Sequence, residues 1–359
     1  IWTGIGAGAQ GVIFWILNPR KAVMESGEWA MIDYLRQPTD RLNAATGISR
    51  LVSRHADFFR GAEPVKSGVA ILYNHESLLA ARYNAEKIRD GRNEGRQSGA
   101  VLKSALAAYE AIAARGIIPE VLDMRVFDWD PAQYPLVVLP NLISVPHESL
   151  GDIERYVRTG GRLIVTGMTG YYDENMACLF MDGFPLRKCF GAALTEFRAG
   201  APYFNLPLIN GEDTLRVHRW KGILHNDDAS VIASDTEGVT GVMNRFGKGT
   251  VVWIPSLIDL GGWQYEEDGL EDFYWKYGTS HLPAPPVRFV SAEKNVLMRL
   301  LRQDSSVMAI LVNKNDRDVA LRVETDFRSE PMLLYGCSKV TGDCIPIPAE
   351  GVVVCLWKQ

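Results

Sequence analysis

The sequence lacks the cysteine patterns, the excess positive charge and the long apolar runs that mark several classes of protein. Its five cysteines are odd in number and none are spaced C-x-x-C, which favours unpaired buried thiols over a zinc ribbon or a disulfide scaffold. A formal net charge of -5 offers no basic footprint for nucleic acid. The longest apolar stretches have the length of strands, so neither a transmembrane helix nor a membrane partner is expected.

An initiator methionine and a recognisable signal peptide are also missing. The chain starts with Ile1-Trp2 and continues directly into patterned sequence. We therefore expect the beginning of a longer protein to lie upstream, and the sequence leaves the compartment open between cytoplasm and periplasm. The length of 359 residues predicts two or three domains.

The clearest pattern in the chain runs from Tyr134 to Gly170. Two uninterrupted apolar runs, Leu136–Leu139 and Leu163–Val165, are typical of strands that are covered on both faces in a parallel sheet. Between them, apolar residues recur at helical spacing until Gly160-Gly161 ends the pattern. This order predicts a βαβ unit, whose two parallel strands are joined by a helix.

Similar patterns extend this unit into an α/β domain. A linker-like stretch, GAEPVKS, precedes a further buried strand at Val69–Tyr73, and helices are predicted from about Glu76 and over Val101–Arg115. After Gly170 the strands become shorter, and a Phe246–Gly249 hairpin leads into another buried strand. Beyond the Pro283–Pro286 stretch the apolar period changes to two, which predicts a small antiparallel β-sandwich.

The first 60 residues do not fit either of these domains. Gly6, Gly8 and Gly11 satisfy G-x-G-x-x-G, but they precede the predicted strand Val12–Ile16 instead of following it, so we reject dinucleotide binding. A polar loop follows that strand, and Thr39 then caps a predicted amphipathic helix. One parallel strand followed by one helix has no partner in this sequence, which indicates the last unit of an eight-stranded α/β barrel.

The polar loop after that strand holds the candidate binding residues. In an α/β barrel, function lies on the loops that follow the strands. The loop contains an aromatic ring, an amide, a guanidinium and two carboxylates, and these groups suit the recognition of sugar hydroxyls. A solvated loop with an internal Arg–Glu pair explains the same composition. The candidates are Trp15, Asn18, Arg20, Glu25 and Glu28.

The middle domain offers less chemistry. Ligands of open α/β sheets bind beyond the carboxyl ends of the strands, here the Tyr73–Glu76, Pro140–Asn141 and Thr166–Gly170 segments. No serine or cysteine stands at the turn after the last of these strands, which argues against a nucleophilic enzyme. The repeated HESL at His75 and His147 would suit a metal or an acid–base pair, but carboxylates in first helical turns explain it better.

Taken together, these segments make the sequence resemble the C-terminal half of a glycoside hydrolase family 42 enzyme, a β-galactosidase with a trimerisation domain. GAQGVIFW is similar to the eighth barrel strand of that family, and VAILYNHES, YPLVVLPNLI, YVRTGGRLIVTGMTG and NRFGKGTVVWI resemble its middle domain. The resemblance implies that Glu25 contacts sugar. Glu28 stands where the family usually has His, and Leu17 stands where it usually has Trp, two residues after Trp15.

The resemblance also implies a domain order. Residues 1–62 would be the final β/α unit of a TIM barrel, and residues 63–282 a flavodoxin-like or amidotransferase-like domain that has lost its catalytic residues and mediates trimer formation. Residues 283–359 would be the C-terminal β-sandwich. The family's two catalytic glutamates, about 5–5.5 Å apart in a retaining enzyme, lie on barrel strands that these 359 residues do not contain.

We therefore predict the C-terminal portion of a retaining exo-glycoside hydrolase that is β-galactosidase-like and acts on oligosaccharides or glycosides. This portion would supply part of the sugar subsite and the interface of a homo-oligomer, a trimer by resemblance, with no cofactor and no metal. The alternatives are a non-catalytic oligomerisation or carbohydrate-binding module and a related glycosidase such as a β-mannosidase. An active amidotransferase-like enzyme is disfavoured.

Overall fold

The computed structural model describes residues 1–21, 28–87, 99–181, 183–209, 213–265, 269–336, 340 and 342–358. The chain forms two compact units. The terminal unit comprises Ile1–Val65, Pro286–Ser291 and Asn295–Gln359, and the middle unit comprises Lys66–Pro285 and Ala292–Lys294. Among the helices described, none has the length and apolarity needed to cross a bilayer.

The described helices are α1 (Trp2–Gly6), α2 (Asp40–Arg54), α3 (Ala56–Gly61), α4 (His75–Lys87), α5 (Ala100–Ala113), α6 (His147–Thr159), α7 (Arg187–Phe190), α8 (Ile258–Tyr265) and α9 (Gly269–Tyr277). The strands are β1 (Glu63–Pro64), β2 (Val69–Tyr73), β3 (Glu120–Asp123), β4 (Leu136–Pro140), β5 (Arg162–Thr166), β6 (Ala192–Pro207), β7 (Thr214–Asn226), β8 (Ser230–Asp235), β9 (Gly238–Phe246), β10 (Gly249–Ile254), β11 (Val287–Phe289), β12 (Val296–Gln303), β13 (Ser306–Asn313), β14 (Val319–Thr325), β15 (Met332–Tyr335), β16 (Cys344–Ile347) and β17 (Val352–Trp357).

The middle unit is built on one mixed sheet. Its parallel half has the order β3-β2-β4-β5-β10, and an antiparallel half, β9-β7-β6 with β8 paired to β9, continues from β10. Numbered in chain order, the parallel half is the 2-1-3-4-5 arrangement of flavodoxin-like folds. The predicted parallel-sheet domain is therefore present, and the strands after Gly170 complete its sheet. The prediction that these strands are short is wrong for β6 and β7, which have 16 and 13 residues because they pair with each other along almost their whole length.

The predicted βαβ unit is confirmed as β4, α6 and β5. Alternate residues of β4 contribute to two different cores, one containing Val137 and Leu139 and the other Leu136 and Val138. Both faces of the strand are thus covered, which explains its uninterrupted apolar run. Helix α6 ends at Gly160, whose φ of +130° lies in the region that glycine tolerates best.

The terminal unit contains the predicted antiparallel strands. A five-stranded sheet, β1-β12-β13-β17-β15, and a three-stranded sheet, β11-β14-β16, share a core of side chains from both. A second core lies on the other side of β13 and β17, where Trp2, Ile48 and Phe58 cover Met308 and Val354. The division of residues 1–62 and 283–359 into separate domains stays a prediction.

The strand predicted at Val12–Ile16 does not form in the described structure of this chain, and its place as the last strand of a barrel stays a prediction. The segment is irregular and belongs to no sheet among the residues described, and Ile13 is 98% exposed. A strand of a parallel barrel is held by ladder hydrogen bonds to strands on both sides, and among the described residues no strand pairs with this segment. The following helix is confirmed in position, but it is two helices, α2 and α3, that meet at His55.

Candidate functional site

Two of the predicted binding residues in the polar loop of the terminal unit, Trp15 and Arg20, contact each other. The Arg20 guanidinium carbon lies 4.5 Å from the centroid of the Trp15 ring, in cation–π geometry. The Trp15 side chain is still 64% exposed. The pair therefore forms a flat aromatic surface with a positive charge at one face, an arrangement that can stack on a sugar ring and donate hydrogen bonds to hydroxyl groups.

Backbone and side-chain hydrogen bonds anchor the return of this loop. The Met31 and Ile32 amides donate to the carbonyls of Ile16 and Leu17 at 3.0 and 3.1 Å. Thr39 Oγ1 donates to the Met31 carbonyl at 2.7 Å, and its oxygen also caps α2. The residues that carry Trp15 are thus tied at one end to a buried stretch of chain, while their side chains remain at the surface.

Of the other three predicted binding residues, the structure describes two. Asn18 and Glu28 are both exposed; Asn18 lies in a bend and Glu28 in a turn. Glu25 lies outside the described residues, so the role assigned to it stays a prediction. The structure brings Trp15 and Arg20 together, and the grouping of all five residues into one site stays a prediction.

Sequence reasoning passed over two aromatic side chains of the same loop. Trp29 is 63% exposed and Tyr34 is 72% exposed, while the neighbouring Ala30 and Met31 are buried. Asp33 Oδ1 accepts hydrogen bonds from the Leu35 and Gln37 amides at 2.8 Å, which shapes the turn that presents Tyr34. The signal available in the sequence was Trp29, an aromatic residue next to Glu28 in a polar stretch. Such a residue is unusual there because large aromatic side chains are normally at least partly buried.

In the middle unit, the crevice where flavodoxin-like folds bind ligands is filled by the protein's own polar groups. This crevice lies between the segments that follow β2 and β4. Asn74 Nδ2 and Ser77 Oγ both donate to the Ser144 carbonyl, at 2.8 and 2.9 Å, and the Ser144 amide donates back to Ser77 Oγ at 3.1 Å. All three residues are buried. These groups hold the segment after β4 in place and are not directed toward a ligand.

The turn after β5 is closed in the same way. Gly167 has a φ of +65°, and a Cβ there would lie 2.7 Å from Cβ of Asn141. The Met168 amide donates to Asn141 Oδ1 at 3.0 Å, and the Met168 side chain is 1% exposed. Thr169 Oγ1 donates to the carbonyls of Leu139 and Thr166. The buried Met168 thioether thus lies at the turn where an α/β-hydrolase or an active amidotransferase carries its exposed serine or cysteine nucleophile.

A buried carboxyl group lies beside the same strand. Asp259, at the start of α8, is 1% exposed and accepts hydrogen bonds from Tyr274 OH at 2.6 Å and from the Thr166 hydroxyl. Burial raises the pKa of Asp259 to about 6, and the two hydrogen bonds partly oppose this shift because they stabilise the ionised form. The group has structural partners on both oxygens and lies in the core.

The two HESL motifs begin helices α4 and α6, and Glu76 and Glu148 lie in the first turns of those helices. His147 Nδ1 is 3.1 Å from Glu174 Oε2 and 3.8 Å from Asp173 Oδ2. The hydrogen bond from the His147 amide holds the pKa of Glu174 below its usual value. Capping of the α6 N-terminus therefore accounts for this group of side chains.

Comparison with known proteins identifies the family to which the middle unit is similar. Residues 67–282 match the family model of the β-galactosidase trimerisation domain. The chain is 25% identical over 276 residues to β-galactosidase BbgII of Bifidobacterium bifidum, covering 72% of this chain and 38% of that protein. It is 23% identical over 332 residues to β-galactosidase BgaB of a Geobacillus species, covering 90% and 46%.

Among solved structures, the β-galactosidase from Bacillus circulans sp. alkalophilus superposes with a TM-score of 0.77 at 19% identity, covering 99% of this chain and 51% of that one. At this identity the likeness shows the shared fold alone. The chain spans about half the length, or less, of these β-galactosidases. Because the match to residues 67–282 covers more than half of the chain, this protein belongs to the family that carries the β-galactosidase trimerisation domain.

Proposed function

We propose that this chain is the C-terminal portion of a retaining exo-glycoside hydrolase of the β-galactosidase type, which removes terminal non-reducing sugars. Three findings support this proposal: the family assignment, the β-galactosidase names of the relatives, and the share of their length that the chain spans. The two catalytic glutamates would lie on barrel strands upstream of Ile1. This chain would contribute one wall of the sugar subsite.

The observation that carries the proposal is the exposed apolar segment Val12–Leu17. Val12, Phe14, Trp15 and Leu17 are each 45–64% exposed, and Ile13 is almost completely exposed. Fully burying one such side chain stabilises a protein by about 1.5–3 kcal/mol, so a folded enzyme is not expected to leave five of these six apolar residues in water. As the eighth strand of a barrel, this segment would pair on both edges and cover these side chains.

The sugar subsite would be built by the loop that follows this segment. Trp15 would stack on a sugar ring, Arg20 and Asn18 would donate to hydroxyl groups, and Glu25 and Glu28 would accept from them. The 4.5 Å contact between Arg20 and Trp15 supports the grouping of these side chains. Glu25 carries the sugar contact implied by the family resemblance.

The middle unit would act in assembly. Its ligand crevice is occupied by Asn74, Ser77 and Ser144, and its elbow carries a buried methionine, which supports a non-catalytic role. We propose that this unit mediates a homo-oligomer, a trimer according to the family description. Sedimentation of the full-length protein at micromolar concentration tests this; a monomer would contradict it.

The activity is tested on the protein encoded by the complete reading frame. A panel of nitrophenyl glycosides should be hydrolysed with retention of configuration, with β-galactosides turned over fastest. The 359-residue chain alone should hydrolyse none of them, because it lacks the catalytic pair. Absence of turnover by the longer protein for every glycoside would remove the proposal, and a preference for β-mannosides would redirect it.

The subsite is tested in the same protein by Trp15→Ala and Glu25→Ala. Loss of the stacking ring should raise KM about 3- to 10-fold, since such contacts contribute on the order of 1 kcal/mol. Both variants should keep the oligomer size of the parent. Trp263→Ala, which removes a half-exposed tryptophan of the middle unit, is the matched control and should leave KM unchanged. Unaltered kinetics in Trp15→Ala would refute the assignment.

A further inference from the structure

The middle unit contains a second cavity, of about 470 Å³, that the proposed activity does not use. It lies where β5 and β10 begin, so it is at the opposite ends of these strands from the crevice described above. Residues from β9, from the start of β8 and from the segment that ends α9 complete its wall. The cavity is therefore formed entirely by described residues of one compact unit.

The deepest cation of this cavity is Arg162, the first residue of β5. Its side chain is half-buried, and Nη1 donates to the Tyr277 carbonyl at 3.1 Å. Burial lowers the pKa of Arg162, and no carboxylate is among the groups that act on it. Its remaining guanidinium N–H groups have no acceptor in the described part of the chain, although Arg162 lines the cavity. A half-buried positive charge of this kind is costly unless an anion pairs with it.

Other positive groups face the same space. Arg245 of β9 is exposed and makes no ion pair with any described residue. Lys276 Nζ of α9 lies 3.8 Å from Asp213 Oδ2 and 5.6 Å from the centroid of the Tyr277 ring. The wall also contains the His281 ring and one carboxylate, Asp228. Three permanent cations outnumber the two nearby carboxylates, Asp228 of the wall and Asp213 beside Lys276, so the cavity is positive in a chain whose net charge is -5.

Neutral donors complete the wall. The hydroxyl groups of Ser230 and Thr250 line the cavity beside the arginines. Neither hydroxyl is engaged by a side-chain hydrogen bond among the residues described, and neither is buried. Guanidinium forks together with hydroxyl donors are the combination that proteins use to hold the oxygens of phosphate.

We propose that this cavity binds a small phosphate-bearing ligand, with the phosphate held by Arg162, Arg245 and Lys276 and by the hydroxyls of Ser230 and Thr250. A tetrahedral dianion accepts more hydrogen bonds than a carboxylate and matches the surplus of donors. The volume of about 470 Å³ accommodates a phosphate group with one attached sugar-sized moiety. The ligand is therefore inorganic phosphate or a monosaccharide phosphate, and the two share the same anchor.

The experiment measures binding by titration calorimetry of the full 359-residue chain, at constant ionic strength. The probes are inorganic phosphate, galactose 6-phosphate, galactose and sodium chloride. We expect saturable binding of the phosphate-bearing probes and none of galactose or chloride. Tighter binding of galactose 6-phosphate than of phosphate would identify a sugar phosphate as the ligand, and equal binding would identify phosphate itself.

Two variants locate the site. Arg245→Gln removes an exposed cation without disturbing the core and should weaken phosphate binding about tenfold or more, because hydrogen bonds to charged groups are strong. Arg162→Lys keeps the charge but loses the planar fork and should also weaken binding. Lys103→Gln, on an exposed face of α5 and away from the cavity wall, is the matched control.

No saturable binding by the parent chain at millimolar phosphate, or equal affinity in Arg245→Gln and the parent, would overturn the proposal. Glycosidase activity is a separate readout on the longer protein, so either proposal can fail while the other stands.

Discussion

The buried carboxyl of Asp259 makes the stability of the middle unit depend on pH in a predictable direction. Its two oxygens accept hydrogen bonds from Tyr274 OH and the Thr166 hydroxyl, and no cation is among the groups that act on it. Burial raises its pKa from the ordinary 3.8 to about 6. Each unit of such a difference between folded and unfolded chain corresponds to about 1.4 kcal/mol. The total effect is therefore about 3 kcal/mol.

The sign follows from which state binds the proton more tightly. Below pH 3.8 the carboxyl is protonated in both states, and the folded chain carries no penalty. Between pH 3.8 and 6 the unfolded chain releases the proton while the folded chain retains it, so the free energy of unfolding falls as the pH rises. Above pH 6 both states are ionised, and the full penalty of about 3 kcal/mol is present.

The substitution Asp259→Asn removes this ionisation while preserving the shape of the side chain. Relative to the parent chain, the variant should gain about 2.5 kcal/mol in free energy of unfolding between pH 4 and pH 7.5, because a small part of the difference is already present at pH 4. Denaturant unfolding followed by fluorescence at several pH values measures the difference. Asp228→Asn, at an exposed site of the same unit, should show no comparable change. A difference between Asp259→Asn and the parent that stays constant over this pH range would refute the reasoning.

Three further predictions concern the same unit. Tyr156→Phe removes a buried hydroxyl that donates to the Tyr134 carbonyl at 2.8 Å, and should lower the free energy of unfolding by about 1–3 kcal/mol in denaturant titrations. Gly249→Ala would place a Cβ 2.1 Å from the Val157 carbonyl oxygen, so it should lower the thermal midpoint and reduce the soluble yield. Burial raises the pKa of the Cys189 thiol to about 12, so mass-spectrometric mapping should find it unmodified by iodoacetamide at pH 8 until the chain is unfolded.

Local pattern was sufficient for the buried parallel strands of the middle unit and for the helix between two of them, but not for α7, α8 and α9. The apolar runs at Leu136–Leu139 and Leu163–Val165 are buried strands, and Gly160 ends the helix between them. These predictions succeeded because period, run length and glycine position are properties of a few consecutive residues. The antiparallel strands of the terminal unit were predicted for the same reason.

The strand predicted at Val12–Ile16 shows the limit of this reasoning. Its composition favours a strand, but a strand forms only where a neighbouring backbone accepts and donates its hydrogen bonds. Among the described residues no strand pairs with this segment, and Ile13 and Trp15 remain exposed. The same limit applies to the candidate sugar loop, where the pairing of Arg20 with Trp15 could not be deduced from their spacing.

The sequence alone determined the buried parallel strands of the middle unit, the antiparallel strands of the terminal unit and the family to which the middle domain is similar. Each of these depends on residues that are close in the chain or on motif identity. Only the tertiary structure decided which polar residues form hydrogen bonds within the protein and are therefore not available to a ligand. Asn74 and Ser144 are 70 residues apart, yet they close the crevice where a ligand would otherwise bind. Arg162 and Arg245 line one cavity although 83 positions separate them in the numbering. Such groupings arise from strand order in the sheet, and strand order is set by long-range packing that no local pattern encodes.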